Sequence, residues 1–292
     1  MNANTHLYQS AINFSEGRDK DRILSIVQAM DRYENCSVAD WSADVDHNRS
    51  VITLIGGAEG VKNAAMSGLE KAISILDIRN HTGVHPYTGV VDVLPITPVR
   101  GSTMKNAVTL AHQIGDKASI SFQIPVYYYG RAAEKGRPGE LPQLRKMWKN
   151  LKPDTGPELP NVSAGIIMIG AREALAAYNI LLDSSDLHIA AEIARVIRHT
   201  RSCDPALAGV RALGLFLASR NKVQISMNLT NLDDASLPDV FTKVSQLAEE
   251  RGIRVVESEV VGLIPQKLMH GRKPEEILWA SCRLEQFLEK WL

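Results

Sequence analysis

The stretch RSVITLIGGAEGVKNAAMSGLEKAISILD (49–77) joins the two patterns on which the fold depends. Its first part, RSVITLIGG (49–57), is rich in β-branched and apolar residues and ends in two glycines, which predicts a strand followed by a turn. Its second part, residues 60–77, is rich in alanine and repeats apolar residues at helical spacing, which predicts an amphipathic helix. We therefore expect a strand that leads directly into a helix.

Strand and helix patterns continue on both sides of this stretch. Before it lie a predicted strand at 7–15, a helix that Asp19 caps and a strand at 36–42, and after it comes the strand VVDVLPITPV (90–99). The resulting order is strand, helix, strand, strand, helix, strand. This is the βαββαβ order of the split ferredoxin-like unit.

The same order returns in the second half of the chain. The predicted elements there are strands at 176–183, 210–220, 222–230 and 253–264 and helices at 186–200 and 237–252. The region 102–170 is predicted to connect the halves, and the tail PEEILWASCRLEQFLEKWL (274–292) to form a C-terminal helix. The fold class that follows is α+β, with two subdomains, residues 1–175 and 176–292.

The composition is that of an ordinary globular protein. Of the 292 residues 45% are hydrophobic and 23% charged, and 33 Lys+Arg balance 33 Asp+Glu, which argues against a nucleic-acid or anionic-membrane partner. No apolar run approaches the roughly 18 residues of a transmembrane helix, and the N-terminus lacks a signal-peptide pattern. The three cysteines form no CxxC pair. We expect a cytoplasmic protein that binds neither nucleic acid nor membrane.

Polar residues concentrate in three loops that the βαββαβ topology places at one edge of the first sheet. These are the exit of the first strand, NFSEG (13–17), the hairpin DVDHN (44–48) and the entry to the fourth strand, NHTGVHP (80–86). Functional groups are often carried by loops on a rigid scaffold, although Asn, Asp, Ser and Gly are also ordinary turn residues. His85 is the strongest candidate for acid–base chemistry, because the ordinary pKa of histidine lies nearest neutrality.

Two other interpretations of this edge are weaker. His81 and His85 have the spacing of a metal-binding helix, but Gly83 and Pro86 disfavour a helix here. A metal site stays open as a minor alternative, because further ligands could come from Asp44, Asp46 and His47. A serine hydrolase is less favoured still, since the chain contains no GxSxG motif.

Several motifs resemble the glutamate formiminotransferase family. They run in order from about residue 10 to about residue 270: NFSEG (13–17), NRSV (48–51), HTGVHP (81–86), GVVDVLPITPVRG (89–101), VYYYG (126–130), DTGP (154–157), GARE (170–173), SMNLTNLD (226–233) and SEVVGLIP (258–265). The HTGVHP segment is quite specific. In animals the family is fused to a cyclodeaminase domain, and this chain looks like the stand-alone transferase.

The resemblance implies a folate-dependent one-carbon transfer. In the family, a formimino group passes from N-formimino-L-glutamate to N5 of tetrahydrofolate, and glutamate is released. The implied fold is two ferredoxin-like subdomains with the site in the groove between them, usually as a homodimer. The implied small-molecule partners are formiminoglutamate as donor and tetrahydrofolate as co-substrate, with no metal.

The resemblance also assigns the principal site residues. The family's catalytic histidine is the one before proline, which is His85 here, and we expect it to act as general acid and base with an ordinary pKa of about 6.5. The folate-binding segment corresponds to GPELPNVSAG, that is Gly156, Pro157, Glu158, Leu159, Pro160, Asn161, Val162, Ser163, Ala164 and Gly165.

The chemistry of the transfer suggests further substrate-binding residues. A tetrahedral intermediate needs polar support, and anionic substrates need cations, of which arginine binds carboxylates best. We expect these roles to fall to Asn13, Asp40, Asp44, Arg49, Asp92 and Arg100. The basic stretch 131–152 is interpreted as a solvated helix face in preference to a patch for polyglutamated folate.

One departure from the family pattern loosens the substrate assignment. The residue after His-Pro is usually arginine in the family and is Tyr87 here. Two alternatives therefore stay open. The chain could be a folate-binding protein without transferase activity, or a transferase of a formyl or related one-carbon group from a different donor.

Overall fold

A computed structural model of the protein describes residues 6–292, which form two compact units. The first unit ends at Glu173 and the second begins at Ala174. Each unit contains one β-sheet and the helices that pack against it. Within residues 6–292, no helix combines the length and the apolar character needed to cross a membrane.

The first unit opens with the βαββαβ order expected from the sequence. Its elements are β1 (Tyr8–Phe14), α1 (Lys20–Met30), β2 (Cys36–Asp44), β3 (Arg49–Gly56), α2 (Ala58–Ile75) and β4 (Val91–Pro98). The strands lie in the order β2-β3-β1-β4, and every neighbouring pair is antiparallel. In this arrangement the exit of β1, the β2–β3 turn and the entry to β4 share one edge of the sheet.

The region 102–170, predicted to connect the two halves, instead extends the first sheet. It contains α3 (Met104–Phe122), β5 (Val126–Gly130), α4 (Leu141–Met147) and β6 (Ile167–Ala171). Strand β6 lies parallel between β4 and β5, which gives a six-stranded sheet in the order β2-β3-β1-β4-β6-β5. The addition covers the edge of β4, whose backbone groups would otherwise lack partners.

Helices cover both faces of this larger sheet. On one face α1, α2 and α3 bury apolar residues such as Ile26, Leu69 and Ile114, and Asp19 caps α1 as predicted. On the other face Leu144 of α4 packs in a separate cluster with Tyr127, Tyr129, Val93 and Met168. Alternate residues of a strand point to opposite faces, so α4 lies across the face opposite α1–α3.

The second unit repeats the βαββαβ order. Its elements are β7 (Ala176–Leu182), α5 (Leu187–Thr200), β8 (Val210–Leu217), β9 (Lys222–Leu229), α6 (Leu237–Glu249) and β10 (Val255–Val261). The four strands are antiparallel in the order β10-β7-β9-β8. Asn221, with φ of 48°, forms the predicted turn between β8 and β9.

The predicted C-terminal helix at 274–292 is wrong. The segment forms only short 3₁₀ turns, and Leu278 between them has a left-handed φ of 54°. These turns are Pro274–Ile277, Leu284–Gln286 and Leu288–Trp291.

Hydrogen bonds to β10 and to Ile264, which follows it, explain why the tail is not helical. The N–H of Ser258 donates to the carbonyl of Leu278 at 2.9 Å, and the N–H of Ile264 donates to that of Gln286 at 2.9 Å. The tail thereby satisfies backbone groups along an edge strand, and it also buries Trp279 in the core of the second unit. These long-range contacts outweigh the local helix propensity of the tail.

We predict that Trp279→Ala lowers the free energy of unfolding by about 3–5 kcal/mol, because a large buried side chain is lost and a cavity remains. Trp279 is 1% exposed, whereas Leu284 in the same tail is 71% exposed. The matched control Leu284→Ala should therefore change stability by less than about 0.5 kcal/mol. Urea denaturation of the two variants measures the difference, and equal stabilities would contradict this packing.

Candidate active site

Hydrogen bonds join the three polar loops that the sequence placed at one edge of the first sheet. The N–H of Gly17 donates to Oδ1 of Asn48 at 3.0 Å. Nδ2 of Asn48 in turn donates to the carbonyl of Thr82 at 3.0 Å. The Asn48 amide thus connects the exit of β1, the β2–β3 turn and the segment that precedes β4.

Two glycines allow the loops to approach this closely. A Cβ atom on Gly17 would lie 2.2 Å from the carbonyl oxygen of Asp44, and one on Gly83 would lie 2.2 Å from that of His47. Real side chains do not tolerate such distances, so both positions require glycine for steric reasons.

A buried carboxylate lies at the centre of this edge. Asp92 has a 1% exposed side chain, and its Oδ2 accepts hydrogen bonds from Nη1 of Arg49 at 2.9 Å and from Nη2 of Arg145 in α4. Its Oδ1 accepts from the N–H and the hydroxyl of Thr88 at 3.0 and 2.9 Å. Burial alone would raise the pKa of Asp92, but the two guanidinium groups hold it below its usual value. Asp92 is therefore ionised at neutral pH.

An irregularity in strand pairing directs Asp92 to this position. Asn13 of β1 pairs with Val93, whereas the next residue, Phe14, pairs with Val91. Residue 92 is thus the extra residue of a β-bulge, a feature that commonly re-aims a side chain.

Arg49 and Arg145 give the cluster an excess of positive charge. Nε and Nη2 of Arg49 both donate to Oδ1 of Asn13, at 2.9 and 2.6 Å, so a neutral amide holds the guanidinium in place. Two guanidinium groups face the single carboxylate of Asp92. This excess charge, in a site largely shielded from water, suits an anionic ligand such as a carboxylate.

His85 lies directly beside this positive charge. Its Nδ1 is 2.8 Å from Nη1 of Arg49 and 2.7 Å from the carbonyl oxygen of Pro86. A guanidinium can only donate, so the first contact needs an unprotonated Nδ1 and the second needs Nδ1–H. Only one of the two hydrogen bonds can form at a time.

The expectation of an ordinary pKa for His85 is wrong in this arrangement of charges. Burial and the positive charges of Arg49 and Arg145 lower the pKa of His85 to about 3. The imidazole is therefore neutral at neutral pH, which is the form that can accept a proton.

A second histidine, absent from the predicted catalytic residues, lies next to His85. The ring centroids of His47 and His85 are 6.1 Å apart. Nδ1 of His47 is 2.9 Å from Oδ2 of Asp44, while Oδ1 of Asp44 accepts the backbone N–H groups of Asp46 and His47 at 2.8 and 2.7 Å. Burial alone would raise the pKa of Asp44, but the hydrogen bonds from His47 lower it. The sequence identified His47 only as a possible metal ligand, whereas it identified Asp44 also as a substrate-binding residue.

Arg145 was also missed, because the basic stretch 131–152 was interpreted as a solvated face. The neighbouring Lys146 and Lys149 are indeed exposed, but Arg145 bonds Asp92 and donates from Nη1 to the carbonyl of Pro86 at 2.8 Å. Arg145 directly follows Leu144, the buried residue of α4. Leu144, an apolar residue within this basic stretch, was the available signal that one side of the helix is covered.

Two of the predicted substrate-binding residues lie away from the cluster. Asp40 is buried within β2 opposite Thr53, four residues before the end of the strand at Asp44 and thus roughly 13 Å from it along the strand. Arg100 follows the end of β4 remote from Asp92, roughly 26 Å away along the chain direction. The structure brings together Asn13, Asp44, Arg49, His85 and Asp92, but not these two.

Tyr87 stabilises the loop in which it lies. Its hydroxyl donates to the carbonyl of His81 at 3.0 Å, and its ring packs edge-on against the His81 ring with centroids 4.3 Å apart. His81 is itself buried, and its Nδ1 is 3.3 Å from Nδ2 of Asn48. The pair thus holds the segment 81–87 in place.

Hydrogen bonds connect the end of the segment 156–165, which is expected to bind folate, to the residues just before β4. The N–H of Ile166 donates to the carbonyl of Thr88 at 3.0 Å, and that of Val90 donates to the carbonyl of Ala164 at 2.9 Å. Leu159 and Val162 are 79% and 72% exposed, so the segment presents apolar side chains to solvent.

His81 and His85, whose spacing is that of a metal-binding helix, do not lie in a helix in the structure. Among residues 6–292, no group of three or more His, Cys, Asp or Glu side chains is arranged to hold a metal ion. His81 and His85 instead contact different partners, Asn48 and Arg49 respectively.

We predict that Asp92→Asn lowers the free energy of unfolding at pH 7 by about 3–5 kcal/mol, because two buried guanidinium groups lose their counter-charge. Because the folded pKa of Asp92 is depressed, its stabilising effect is present above the unfolded value of about 4 and is lost as the pH falls through the folded pKa. The difference in free energy of unfolding between wild type and Asp92→Asn should therefore become smaller at acidic pH.

Urea denaturation at pH 7 and at successively lower pH measures this difference. The control is Glu59→Gln, which breaks a surface ion pair with Lys62 and should cost at most about 1 kcal/mol. If the difference in free energy of unfolding between wild type and Asp92→Asn stayed constant at acidic pH, Asp92 would not be an ionised partner of the two arginines.

Comparisons with known proteins cover both units of the chain. The N-terminal subdomain of the formiminotransferase domain matches residues 7–172, and the formiminotransferase domain matches residues 177–272. The glutamate formimidoyltransferase of Thermoplasma acidophilum is 36% identical over 275 residues, which are 90% of this chain and 89% of that protein. The enzyme of the same name from Streptococcus pyogenes serotype M1 is 31% identical over 267 residues, 88% of each chain.

A longer relative also matches. The formimidoyltransferase-cyclodeaminase of Rattus norvegicus is 33% identical over 277 residues, which are 91% of this chain but 51% of that protein. The matches to the two shorter relatives extend over nearly their whole length, and the two domain matches follow each other along the chain. The chain therefore belongs to the formiminotransferase family.

Proposed function

We propose that this protein transfers a formimino group from N-formimino-L-glutamate to N5 of tetrahydrofolate and releases glutamate. Family membership supports the reaction class. The observation that carries the assignment of the site is the buried cluster in which His85 lies 2.8 Å from Arg49, beside Asp92. The neutral imidazole can accept a proton, and the excess positive charge can bind the carboxylates of the substrates.

The reaction moves one proton and involves no change of oxidation state. The N5 lone pair attacks the amidine carbon, and N5 loses its proton as the new C–N bond forms. The C–N bond to glutamate then breaks, and the departing nitrogen gains a proton. We assign His85 as the general acid and base that exchanges these protons, a contribution of about 10²–10⁴-fold to the rate.

Substrate binding would prepare His85 for this role. A carboxylate bound by Arg49 or Arg145 offsets the positive charge that lowers the pKa of His85, so this pKa should rise in the complex. If the carboxylate also takes the Arg49 hydrogen bond, Nδ1–H of His85 can donate to the carbonyl of Pro86. Nε2 is then unprotonated and can accept the proton from N5.

The other residues of the cluster have supporting roles in this proposal. Asn13 holds the Arg49 guanidinium, and Asp92 compensates part of its charge. The segment 156–165 binds folate, with the exposed side chains of Leu159 and Val162 available for its flat rings. Asp40 and Arg100 lie outside the cluster and are assigned no step.

The proposal extends to fold and assembly. The strand orders β2-β3-β1-β4 and β10-β7-β9-β8 support the description of both units as ferredoxin-like subdomains that meet near residue 175. The family resemblance supports a homodimer, and the composition supports a cytoplasmic protein.

We predict that wild type transfers the formimino group from formiminoglutamate to tetrahydrofolate and that His85→Ala lowers kcat by about 10²–10⁴-fold, because the proton carrier is lost. Formylglutamate and formiminoglycine are assayed in parallel as donors. The matched control is His188→Ala, since His188 is an exposed residue of α5 and should leave kcat unchanged.

The outcomes of this assay separate the alternatives. Turnover with formylglutamate alone would indicate a different donor. Folinate binding without turnover of any donor would indicate a folate-binding protein. Equal activities of wild type and His85→Ala would contradict the role of His85.

We predict that Arg145→Gln raises the pKa of His85 above about 3, because a positive charge that disfavours the imidazolium is removed. NMR titration of the imidazole measures this pKa. The matched control is Lys146→Gln, the next residue of α4 but exposed, which should leave the titration unchanged. The same midpoint in Arg145→Gln and wild type would refute the electrostatic account of His85.

A further inference from the structure

Two neighbouring imidazoles of the site have opposite electrostatic surroundings. Nδ1 of His47 is 2.9 Å from a carboxylate oxygen of Asp44, whereas Nδ1 of His85 is 2.8 Å from a guanidinium nitrogen of Arg49. The two ring centroids are 6.1 Å apart, with their planes inclined by 59°. The two rings are therefore close enough to belong to one site.

The position of His47 is tightly determined. Its side chain is 11% exposed, and the carbonyl of His47 packs against Gly83 so closely that no Cβ would fit there. Asp44 contributes separately to backbone and ring: Oδ1 accepts the N–H groups of the turn, and Oδ2 accepts Nδ1–H of His47. The ring is thus oriented by a carboxylate that the turn itself holds in place.

The two rings lie beside charges of opposite sign. A carboxylate that accepts Nδ1–H fixes the tautomer of an imidazole and stabilises positive charge on the ring, whereas adjacent guanidinium groups disfavour that charge. When two titratable groups of one site have environments of opposite sign, they are suited to opposite acid and base tasks. The charged and titratable groups near His47 include Asp44 and Asp46 on its own turn and His85 on the adjacent loop, which Arg49 contacts. They also include Arg18, whose Nε donates to the carbonyl of Val45 in the same turn at 3.0 Å.

We propose that His47, oriented by Asp44, is a second proton-transfer residue of this site and donates the proton to the departing glutamate nitrogen, while His85 accepts the proton from N5. This inference rests on the proposed formimino transfer and divides the acid and base tasks between two side chains. The class of ligand is an amidine whose leaving group is an amine, which departs readily only when protonated.

The proton balance closes over one turnover. Neutral His85 takes the N5 proton as the new C–N bond forms, and protonated His47 gives its proton to the glutamate nitrogen as the old C–N bond breaks. Transfer of the proton from His85 to His47 restores both groups. This last transfer runs from the ring beside Arg49 to the ring beside Asp44, in the direction that their charges favour.

The competing interpretation is that the Asp44–His47 pair only closes the β2–β3 turn. The substitution Asp44→Asn separates the two roles, because an asparagine Oδ1 can still accept the N–H groups of the turn but its amide cannot stabilise positive charge on His47. His47→Gln removes the imidazole itself and keeps a polar side chain.

The test measures kcat against pH for wild type, His47→Gln and Asp44→Asn, with formiminoglutamate and tetrahydrofolate as substrates. We expect kcat of wild type to fall at alkaline pH as the donor is deprotonated. His47→Gln should lower kcat by about 10²-fold or more and abolish this alkaline limb, with KM changed little. Asp44→Asn should shift the alkaline limb to lower pH. The matched control is the exposed His188→Gln, which should behave like wild type.

Each outcome decides the question. A wild-type kcat in His47→Gln, or a lowered kcat that keeps the alkaline limb, overturns the inference and leaves a structural role. If His47→Gln does not fold by circular dichroism, Asp44→Asn carries the test, and an unshifted limb overturns the inference. Absence of transfer by wild type would instead refute the proposed function, so the two failures are distinguishable.

Discussion

The ion pairs of Asp92 with Arg49 and Arg145 are the interaction on which the rest of the site depends. A carboxylate that is 1% exposed costs several kcal/mol unless it is paired and hydrogen-bonded, and the two guanidinium groups and Thr88 meet that requirement. Because the partners come from the start of β3, from α4 and from the entry to β4, the same pairing holds three separate segments of the chain together. It also sets the charge beside His85, since one carboxylate offsets only one of the two guanidinium groups.

This charge balance links the stability of the site to its chemistry. An excess positive charge near a histidine keeps the imidazole neutral and at the same time attracts carboxylates, which both proposed substrates carry. The opposite arrangement is found one loop away, where Asp44 lies behind His47. One edge of the sheet therefore carries two chemically identical imidazoles, one beside a carboxylate and the other beside guanidinium groups. Glycine at positions 17 and 83 is the steric condition for this closeness, because any side chain there would separate the loops.

Several features followed from sequence patterns that act over a few residues. The βαββαβ order of both units, the Asp19 cap of α1 and the turn at Asn221 depend on local periodicity and turn chemistry, and the structure confirms them. Convergence of the three polar loops followed from strand direction alone. The tail at 274–292 was wrongly predicted to be a helix, because its conformation depends on hydrogen bonds to β10 and on the burial of Trp279, neither of which leaves a local signal. For the same reason local patterns predict residues 102–170 to be a connection, whereas they form part of the first sheet.

By itself the sequence determined the βαββαβ order of the elements and the edge of the sheet where the polar loops meet. It also identified His85 as the candidate for acid–base chemistry. These conclusions rest on the periodicity of apolar residues and on chain direction, which are local properties of the sequence. Only the tertiary structure decided which charges surround that histidine. Arg145 of α4 and Asp92, which a β-bulge re-aims, lie beside it. The ring centroid of His47 is 6.1 Å from that of His85, and Asp44 contacts the His47 ring. The physical reason is that electrostatic interactions depend on burial and on distance through space. Asp92 and Arg145 are 53 positions apart in the sequence, so they come within hydrogen-bonding distance only when α4 has packed against the sheet.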